Sequence, residues 1–285
     1  MKNRRTDSSR CSDVLSRVLF AVLMTLLPLQ VPARQSIGGL PSPGEHVSQG
    51  SLTLGLGYAR DTYLSSVRYD GSAYGIELDK WRGRKEDSYF RYSRLHCNLL
   101  GSPMHNRLGG GSTIDANFSV DWALLAPVIE NDKDDLLLGP AFLTDLTMLW
   151  NRQNGNNPAN AQGHVSLGVC LDNTFRFSLP SFPMALQATL FMPLAGIAPA
   201  PDYDEPYWYV YRYGDYMKVL HFASLLNTFA VTQQISLVMP VGRNSLKIGY
   251  TFDYSRDRLG GHSRYAAYNM FSVGYVMRTV KIRNR

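Results

Sequence analysis

The 285-residue sequence predicts an all-β chain that folds as a single antiparallel up-and-down transmembrane β-barrel of about ten strands. Three observations predict this class. Hydrophobicity alternates with period two in many segments, a secretory signal precedes them, and turn residues divide the chain into about ten such segments. Eight and twelve strands remain alternatives, and so does a secreted soluble β-sandwich that acts as a binding protein.

Residues 1–33 are predicted to form a cleavable signal peptide. A basic start is followed by an apolar run over residues 18–29 and by the small-residue stretch 31–33. The run is shorter than the roughly 20 apolar residues that a transmembrane helix needs. Cys11 precedes the run, so it is not placed as the lipid-bearing cysteine of a lipoprotein. We therefore expect export through a signal peptide and localisation in the outer membrane of a Gram-negative cell.

The rest of the chain is predicted to be one domain, because barrels of about 250 residues commonly fold as a unit. A short periplasmic N-terminal segment (34–49) leads into the barrel (50–279), and a basic C-terminal tail (280–285) follows. The formal net charge of +6 falls to about +3 without the signal peptide, which carries five basic and two acidic residues. No stripe of Lys and Arg alternates with aromatics, so nucleic acid is not an expected partner. Cys97 and Cys170 have neither metal-site nor disulfide-framework spacing, which favours two free buried thiols.

Period-two alternation is clearest over residues 113–124, where Ile, Ala, Phe, Val, Trp and Leu alternate with Asp, Asn and Ser. An α-helix, with about 3.6 residues per turn, does not produce this alternation. The same pattern, or a β-rich composition, defines ten predicted strands: 50–64, 67–81, 88–100, 112–127, 136–151, 163–179, 183–194, 221–239, 245–257 and 264–279.

The two faces of these strands favour a membrane barrel over a sandwich. The second face is small and polar, as in a wet lumen, and aromatic residues lie near strand ends, as in an interfacial girdle. A sandwich would instead point Ile114, Phe118, Val120 and Trp122 inward to a dry core. The predicted girdle residues are Tyr58, Tyr74, Trp81, Tyr89, Trp122, Trp150 and Tyr254.

The connections differ in length on the two ends of the predicted barrel. Tight links follow the even-numbered strands, and longer links rich in Gly and Asn follow strands three, five, seven and nine. Short turns are typical of the periplasmic end, and long loops are typical of the outer end. A barrel of about ten strands encloses a lumen that its own side chains fill, so a general porin is not expected.

The segment from Asp61 to Gly71, DTYLSSVRYDG, resembles the opening motif of an uncharacterised outer-membrane β-barrel family of Gram-negative bacteria. That motif has D-T-Y-L-S-P followed by a Y-x-G turn, and Ser66 stands here in place of the proline. Residues 201–203 and 207–209 are similar to the family's aromatic segment before the last three strands. The resemblance implies a barrel over most of the mature chain, and it implies no particular activity. One departure is that the chain continues past Tyr275 into a basic tail and does not end on an aromatic residue.

The longest loop, 195–220, is the predicted place of ligand contact. It contains a cluster of aromatics beside three acidic residues, and aromatic faces flanked by carboxylates can hold sugars or cations. The alternative is that alternate aromatics form the interfacial belt of a strand that continues above the membrane. The candidate ligand-contact residues are Tyr203, Tyr207, Trp208, Tyr209 and Tyr211.

Catalysis, metal binding and other cofactors are not expected. No G-x-S-x-G elbow occurs, and the outer histidines His105, His164, His221 and His262 lack ligand spacing. Lumen acids such as Asp115, Asp121 and Asp145 are expected to pair with Arg91, Arg94 or Arg176. The alternative is a barrel enzyme acting on lipid or peptide, with His221 or His262 within hydrogen-bond reach of a serine and a carboxylate.

The sequence therefore predicts an outer-membrane barrel with a narrow, side-chain-filled lumen. Its role is expected to be ligand binding, narrow transport or envelope structure. The expected partners are outer-membrane lipid and the barrel-assembly machinery.

Overall fold

The computed structural model describes residues 38–106, 111–151, 153, 155, 158–179, 182–200, 212–214, 217–242 and 244–280. Eleven strands occur in these ranges. They are β1 (Glu45–Asp61), β2 (Ser65–Gly83), β3 (Tyr92–His105), β4 (Ser112–Glu130), β5 (Asp134–Asn151), β6 (Ala159–Leu179), β7 (Phe182–Pro199), β8 (Leu220–Ser224), β9 (Thr228–Val241), β10 (Asn244–Leu259) and β11 (His262–Val280). The described residues contain no helix with the length and hydropathy of a membrane span.

Ten of the strands form a closed antiparallel ring. Each pairs with its neighbours along the chain, β7 pairs with both β6 and β9, and β1 closes the ring on β11 from Glu45↔Val280 to Asp61↔Arg264. The eleventh strand, β8, is short and pairs with the end of β7. Closure removes the open sheet edges that hydrocarbon does not tolerate, because every ladder then finds a partner. The predicted single antiparallel barrel is therefore confirmed.

The apolar face of the sheet points outward. Leu52, Leu54 and Leu56 are 69, 56 and 67 % exposed, whereas Ser51 and Thr53 between them are buried. Phe118 and Trp122 are exposed as well, both at 47 %. A sandwich would bury these side chains, so that alternative is wrong, and the arrangement is that of a barrel with an apolar exterior and a polar lumen. We call the outward apolar surface the apolar belt.

Most of the predicted girdle lies on this outer surface, including Tyr74, Tyr89, Trp122 and Trp150, all of them exposed. Trp81 does not. It is 6 % exposed and packs inside the lumen. Its position near the end of β2 resembles a girdle position in the sequence, but the phase of β2 turns it inward.

Most strand ends differ from the predicted ones by up to five residues, and β7 continues to Pro199, into the predicted loop 195–220. The first strand begins at Glu45, five residues before the predicted start, because 45–49 continue the ladder with β11. The predicted strand 221–239 is two strands, β8 and β9, separated by a turn at 225–227. Asn227 stabilises that turn, since its Oδ1 accepts from the Ser224 backbone N–H at 2.7 Å and its amide donates to the Phe222 carbonyl at 2.7 Å.

The barrel has two distinguishable ends, which we name the terminus end, where β1 begins and β11 ends, and the loop end opposite. The loop end carries the longest connection, residues 200–219 after β7, whereas β1–β2 and β10–β11 are tight there. Gly260 and Gly261, with φ of 56° and 74°, form the two-residue turn after β10, because both positions require a positive φ. Of the four links predicted to be long, only the one after β7 (200–219) is longer than the β2–β3 link (84–91) at the terminus end. The links after β3 (106–111) and β5 (152–158) are not, and the one after β10 is a two-residue turn, so the predicted difference in loop length is wrong for three of the four.

Side chains fill the lumen at both ends. At the terminus end lies a buried apolar cluster formed by Val47, Trp81, Tyr92, Ala123, Leu125, Leu137, Ala141, Leu143, Cys170 and Phe191. A second cluster, nearer the loop end, is formed by Ala59, Tyr69, Ala73, Leu100, Met104, Leu149, Ala266, Tyr268 and Met270. Both described cysteines, Cys97 and Cys170, are free thiols, but Cys97 is only half-buried, so the prediction of buried thiols holds for Cys170 alone.

The segment before β1 is tucked into the mouth at the terminus end. Leu40 packs against the apolar cluster there, and Arg278 donates to the carbonyl of Gly39. Gly38 has φ of 64°, and a Cβ at this position would lie 2.5 Å from the Cβ of Ala185. Only glycine fits that backbone and that space. This mouth is thus capped by the chain itself.

Candidate functional site

A buried arginine spans the lumen above the terminus-end cluster. Arg94 of β3 is 2 % exposed and donates to Asp79 (2.8 Å) and Asp172 (3.1 Å). It also donates to Thr189 (2.7 Å) and Gln234 (3.0 Å), so one guanidinium joins five strands. The planar fork of arginine suits such a multi-partner position. The lumen is closed at this level.

Charged neighbours extend this layer and are themselves paired. His96 Nδ1 lies 3.2 Å from Asp79 Oδ1, and Lys247 Nζ donates to Gln49 at 3.0 Å. Lys247 also lies 3.8 Å from the Asp79 carboxylate. The cations and carboxylates of the Arg94 layer therefore neutralise one another, as buried charges require.

A second layer lies nearer the loop end. Arg264 of β11 makes two contacts with the Asp115 carboxylate, at 3.1 and 3.2 Å, and donates to Thr147 at 2.6 Å. The Tyr268 hydroxyl donates to the same carboxylate at 2.6 Å. Asp115 is fully buried and its charge is matched by Arg264 alone.

Between the two layers is a cavity of about 80 Å³, which is room for several water molecules. Phe191, which packs against Arg94, bounds it on one side, and Arg264 bounds it on the other. Serine and threonine hydroxyls contribute to its wall. Its charged lining is Asp121, Asp145, Asp253, Asp257, His164 and Arg264, and we call it the acidic cavity.

The strand period explains why these groups meet. Asp253 and Asp257 are four residues apart on β10 and therefore lie on the same face. Arg264 on β11 is the ladder partner of Asp257. His164 of β6 is the ladder partner of Asp145 on β5. The inward faces of five strands, β4, β5, β6, β10 and β11, thus supply the whole charged lining.

His164 lies between two carboxylates. Its Nδ1 is 3.0 Å from Asp145 Oδ1, and its Nε2 is 3.4 Å from Asp257 Oδ1. Asp121 has no such neighbour within hydrogen-bond distance. It is 7 % exposed and makes no side-chain hydrogen bond or ion pair with any residue the structure describes. Asp253 lines the same cavity and likewise makes no side-chain hydrogen bond or ion pair with a described residue, and buried carboxylates without such a partner are uncommon.

Carboxyl groups outnumber cationic side chains in the lining. Four carboxylates face two cationic side chains even when His164 is protonated, and Arg264 already neutralises Asp115. Burial of an ionised carboxylate without a neighbouring cation costs free energy, because the charge loses its hydration. The cavity is therefore suited to a positively charged group.

The sequence-predicted site residues are distributed differently. Tyr203, Tyr207, Trp208, Tyr209 and Tyr211 lie outside the described residues, so the ligand-contact loop stays a prediction. His221 contacts the Ala200 carbonyl at 3.0 Å, and His262 contacts Gly260 and Gln162, both at 3.1 Å. Neither contacts both a serine and a carboxylate in the described ranges, which was the arrangement expected of a barrel enzyme. Within those ranges no group of three or more His, Cys, Asp or Glu side chains is arranged to hold a metal ion.

The predicted ion pairs are wrong in their partners, although charged pairs do fill the lumen. Strand alternation identifies inward residues, but the stagger between strands decides which of them meet, and that stagger is not visible in one strand. The pairs observed are Asp115 with Arg264, Asp145 with His164, Arg94 with Asp79 and Asp172, Arg91 with Glu130, and Arg176 with Asp135. Asp253, Asp257 and Arg264 were missed as site residues. The alternation along β10 and β11 places all three side chains on the inward face, and this pattern could have identified them.

Three solved structures similar to this chain are outer-membrane barrels. The outer membrane protease OmpT from Escherichia coli is 8 % identical over 83 % of this chain and 97 % of its own, with a TM-score of 0.46. The translocator domain of the autotransporter NalP from Neisseria meningitidis is 10 % identical over 94 % and 96 %, with a TM-score of 0.34. The COG4313 outer membrane channel from Pseudomonas putida F1 is 11 % identical over 88 % and 100 %, with a TM-score of 0.35. These values are too low to carry over any activity.

A comparison with curated proteins gives no significant match. A family model described as "Protein of unknown function (DUF3316)" matches residues 21–285, which is nearly the whole chain. The protein with this closed barrel and this acidic cavity therefore belongs to the DUF3316 family.

Proposed function

We propose that the protein is an integral outer-membrane barrel that binds a small cationic group in its acidic cavity. The observation that carries this proposal is the buried, unpartnered carboxylate of Asp121 in a cavity where carboxylates outnumber cations. The ligand is a compact cation such as a primary ammonium, because three N–H donors match several separate carboxylate oxygens.

The apolar belt supports placement in a membrane. Side chains such as Leu52, Leu167 and Phe271 are two-thirds exposed or more. Contiguous apolar exposure on this scale is not stable in water, whereas lipid solvates it. In the proposed orientation, the terminus end faces the periplasm and the loop end faces outward, with the predicted signal peptide providing export.

Binding is favoured over conduction because the described lumen is blocked. The Arg94 layer crosses it, and the apolar cluster with Leu40 fills the mouth at the terminus end. The acidic cavity is therefore separated from the terminus end by the Arg94 layer and that cluster, and from the loop end by the Arg264 layer.

Binding is also favoured over hydrolysis. A general base needs a nitrogen lone pair directed at the attacking hydroxyl or water. Both ring nitrogens of His164 face carboxylates, at 3.0 and 3.4 Å, so neither is directed at a serine hydroxyl.

The proposal is tested by isothermal titration of the purified, folded barrel in detergent with methylammonium chloride. We expect saturable binding by the wild-type protein and at least a tenfold weaker affinity for Asp121→Asn, because the loss of one charged hydrogen bond costs about 1.5–3 kcal/mol. Asp132→Asn removes the same charge from an exposed turn at the terminus end and is the matched control. Equal affinities for the two variants, or no binding by the wild type, contradict the proposal.

Membrane placement has its own test. The folded protein should fractionate with outer membranes and migrate differently on a gel before and after heating. Recovery as soluble periplasmic protein contradicts it.

A further inference from the structure

The pairing between β7 and β9 is interrupted near the loop end. The last pair between these strands is Phe191↔Thr232, and the next pair along β7 is Ala195↔Ser224, which belongs to β8. Three residues of β7 (192–194) therefore face seven residues of the other chain segment (225–231), and no ladder joins them. We call this interruption the seam.

The seam lies in the apolar belt. Around it, Ile197, Phe222 and Leu226 are exposed, and Leu226 at 94 % is the most exposed large apolar side chain described. Unpaired backbone groups facing hydrocarbon are normally avoided in membrane barrels. Pro193, which has no N–H to leave unpaired, stands in the middle of the β7 side. The interruption is thus bordered by exposed apolar side chains on its outer surface.

The seam also borders the acidic cavity. Phe191 and Pro193 from β7 line that cavity, and so do Thr228 and Thr232 from β9. Phe191 and Thr232 form the last ladder pair before the interruption, and Pro193 and Thr228 lie within it. The part of the wall without a ladder is therefore the part that separates the carboxylates from the membrane.

We infer that the seam is a lateral entrance to the cavity and that the ligand is an amphiphilic amine. Its ammonium group contacts Asp121 and the neighbouring carboxylates, while its alkyl chain lies between β7 and β9 and extends into lipid. This inference rests on the proposed cation binding. It adds the apolar part of the ligand and the route by which it arrives.

At the seam, the β8–β9 side has four residues more than the β7 side, and deletion of four residues tests the inference. Deletion of residues 224–227 removes the turn and brings the segment before it into the register of the β7–β9 ladder. Because four is an even number, every side chain keeps its inward or outward orientation. The cavity-lining residues Asp121, Thr228 and Thr232 stay in place.

Two probes separate the two proposals: methylammonium, which has only the cationic group, and hexylammonium, which adds an alkyl chain. For the wild type we expect hexylammonium to bind at least about tenfold more tightly, since burial of about two methylene groups is enough for that ratio. For the deletion variant we expect unchanged methylammonium affinity and loss of the hexylammonium advantage. Empty detergent micelles provide the baseline for both titrations.

Heat-modifiable migration shows whether the deletion variant has folded. Leu194→Trp, which adds bulk at the seam without changing chain length, is a second variant with the same expected effect. Leu54→Trp, on the outer face of β1, is its matched control. If methylammonium does not bind to the wild type, the proposed function fails. If methylammonium binds while hexylammonium binds equally to the wild type and both seam variants, the lateral entrance is overturned and the cation site stands.

Discussion

Arg94 joins five strands across the lumen, and its replacement by methionine is expected to lower the free energy of unfolding by about 3–5 kcal/mol. Methionine keeps most of the apolar stem that packs against Trp81 and Phe191. The loss of stability therefore results mainly from removal of the positive charge. The change leaves the carboxylates of Asp79 and Asp172, 5 and 3 % exposed, without their main cation. Breaking a buried ion pair on one side has this magnitude because the remaining charge is stranded.

Arg91→Met is the matched control for this variant. Arg91 pairs with Glu130 at 2.6 Å, but both side chains are more than one-third exposed. Exposed pairs of this kind contribute about 0–1 kcal/mol. The two variants therefore remove the same residue type and the same charge from a buried and an exposed pair in adjacent parts of the chain.

Unfolding of the refolded barrel by urea, followed by tryptophan fluorescence in lipid vesicles, measures both variants. A midpoint shift with an unchanged slope reports on stability. Equal destabilisation by the two variants, or a loss of less than about 1 kcal/mol for Arg94→Met, would refute the view that this layer holds the barrel wall together. The further replacement of Asp79 by asparagine in the Arg94→Met background should recover part of the loss, because it removes one stranded charge.

Two further substitutions test the exterior and the capped mouth. Leu54→Arg places a charge on the apolar belt and should cost about 2–4 kcal/mol in vesicles if Leu54 lies near the bilayer midplane, whereas the same change on a water-exposed surface should cost less than about 0.5 kcal/mol. Gly38→Ala should release the segment before β1 from the mouth, because its Cβ would lie 2.5 Å from Ala185 and its φ is positive. Limited proteolysis should then cleave the variant near residues 38–44 faster than the wild type, and equal rates would contradict the packing described.

The sequence was sufficient for those parts of the fold that depend on a single strand. The alternation around Phe118 and Trp122 predicted the strands, and the signal peptide with the aromatics near strand ends favoured a barrel with an apolar exterior, because these observations are local. The break between β8 and β9 was missed for the same reason. Leu225 and Leu226 are apolar and continue the pattern of a strand, while the turn depends on hydrogen bonds of Asn227.

The candidate site was harder to predict because it depends on distances across the barrel. Asp121 was identified as a lumen acid, yet its surroundings are set by strands β5, β6, β10 and β11, far from it in the sequence. The shear of the closed ring, which is the total stagger between its strands, decides which inward residues lie at the same height. The shear cannot be predicted from one sequence when the register between strands is not known. The same limit explains why Arg264, and not Arg94, neutralises Asp115.

Arg278 on the last strand connects the two ends of the barrel sequence. Its guanidinium donates to the Gly39 carbonyl and lies 3.5 Å from the carboxylate of Glu45, the first residue of β1. The residue that stabilises pairing of the first and last strands thus also holds the segment that caps the mouth. Ring closure and capping of the mouth at the terminus end are therefore coupled through one side chain. An assembly intermediate whose last strand has not yet docked exposes both an unpaired strand edge and an uncapped lumen.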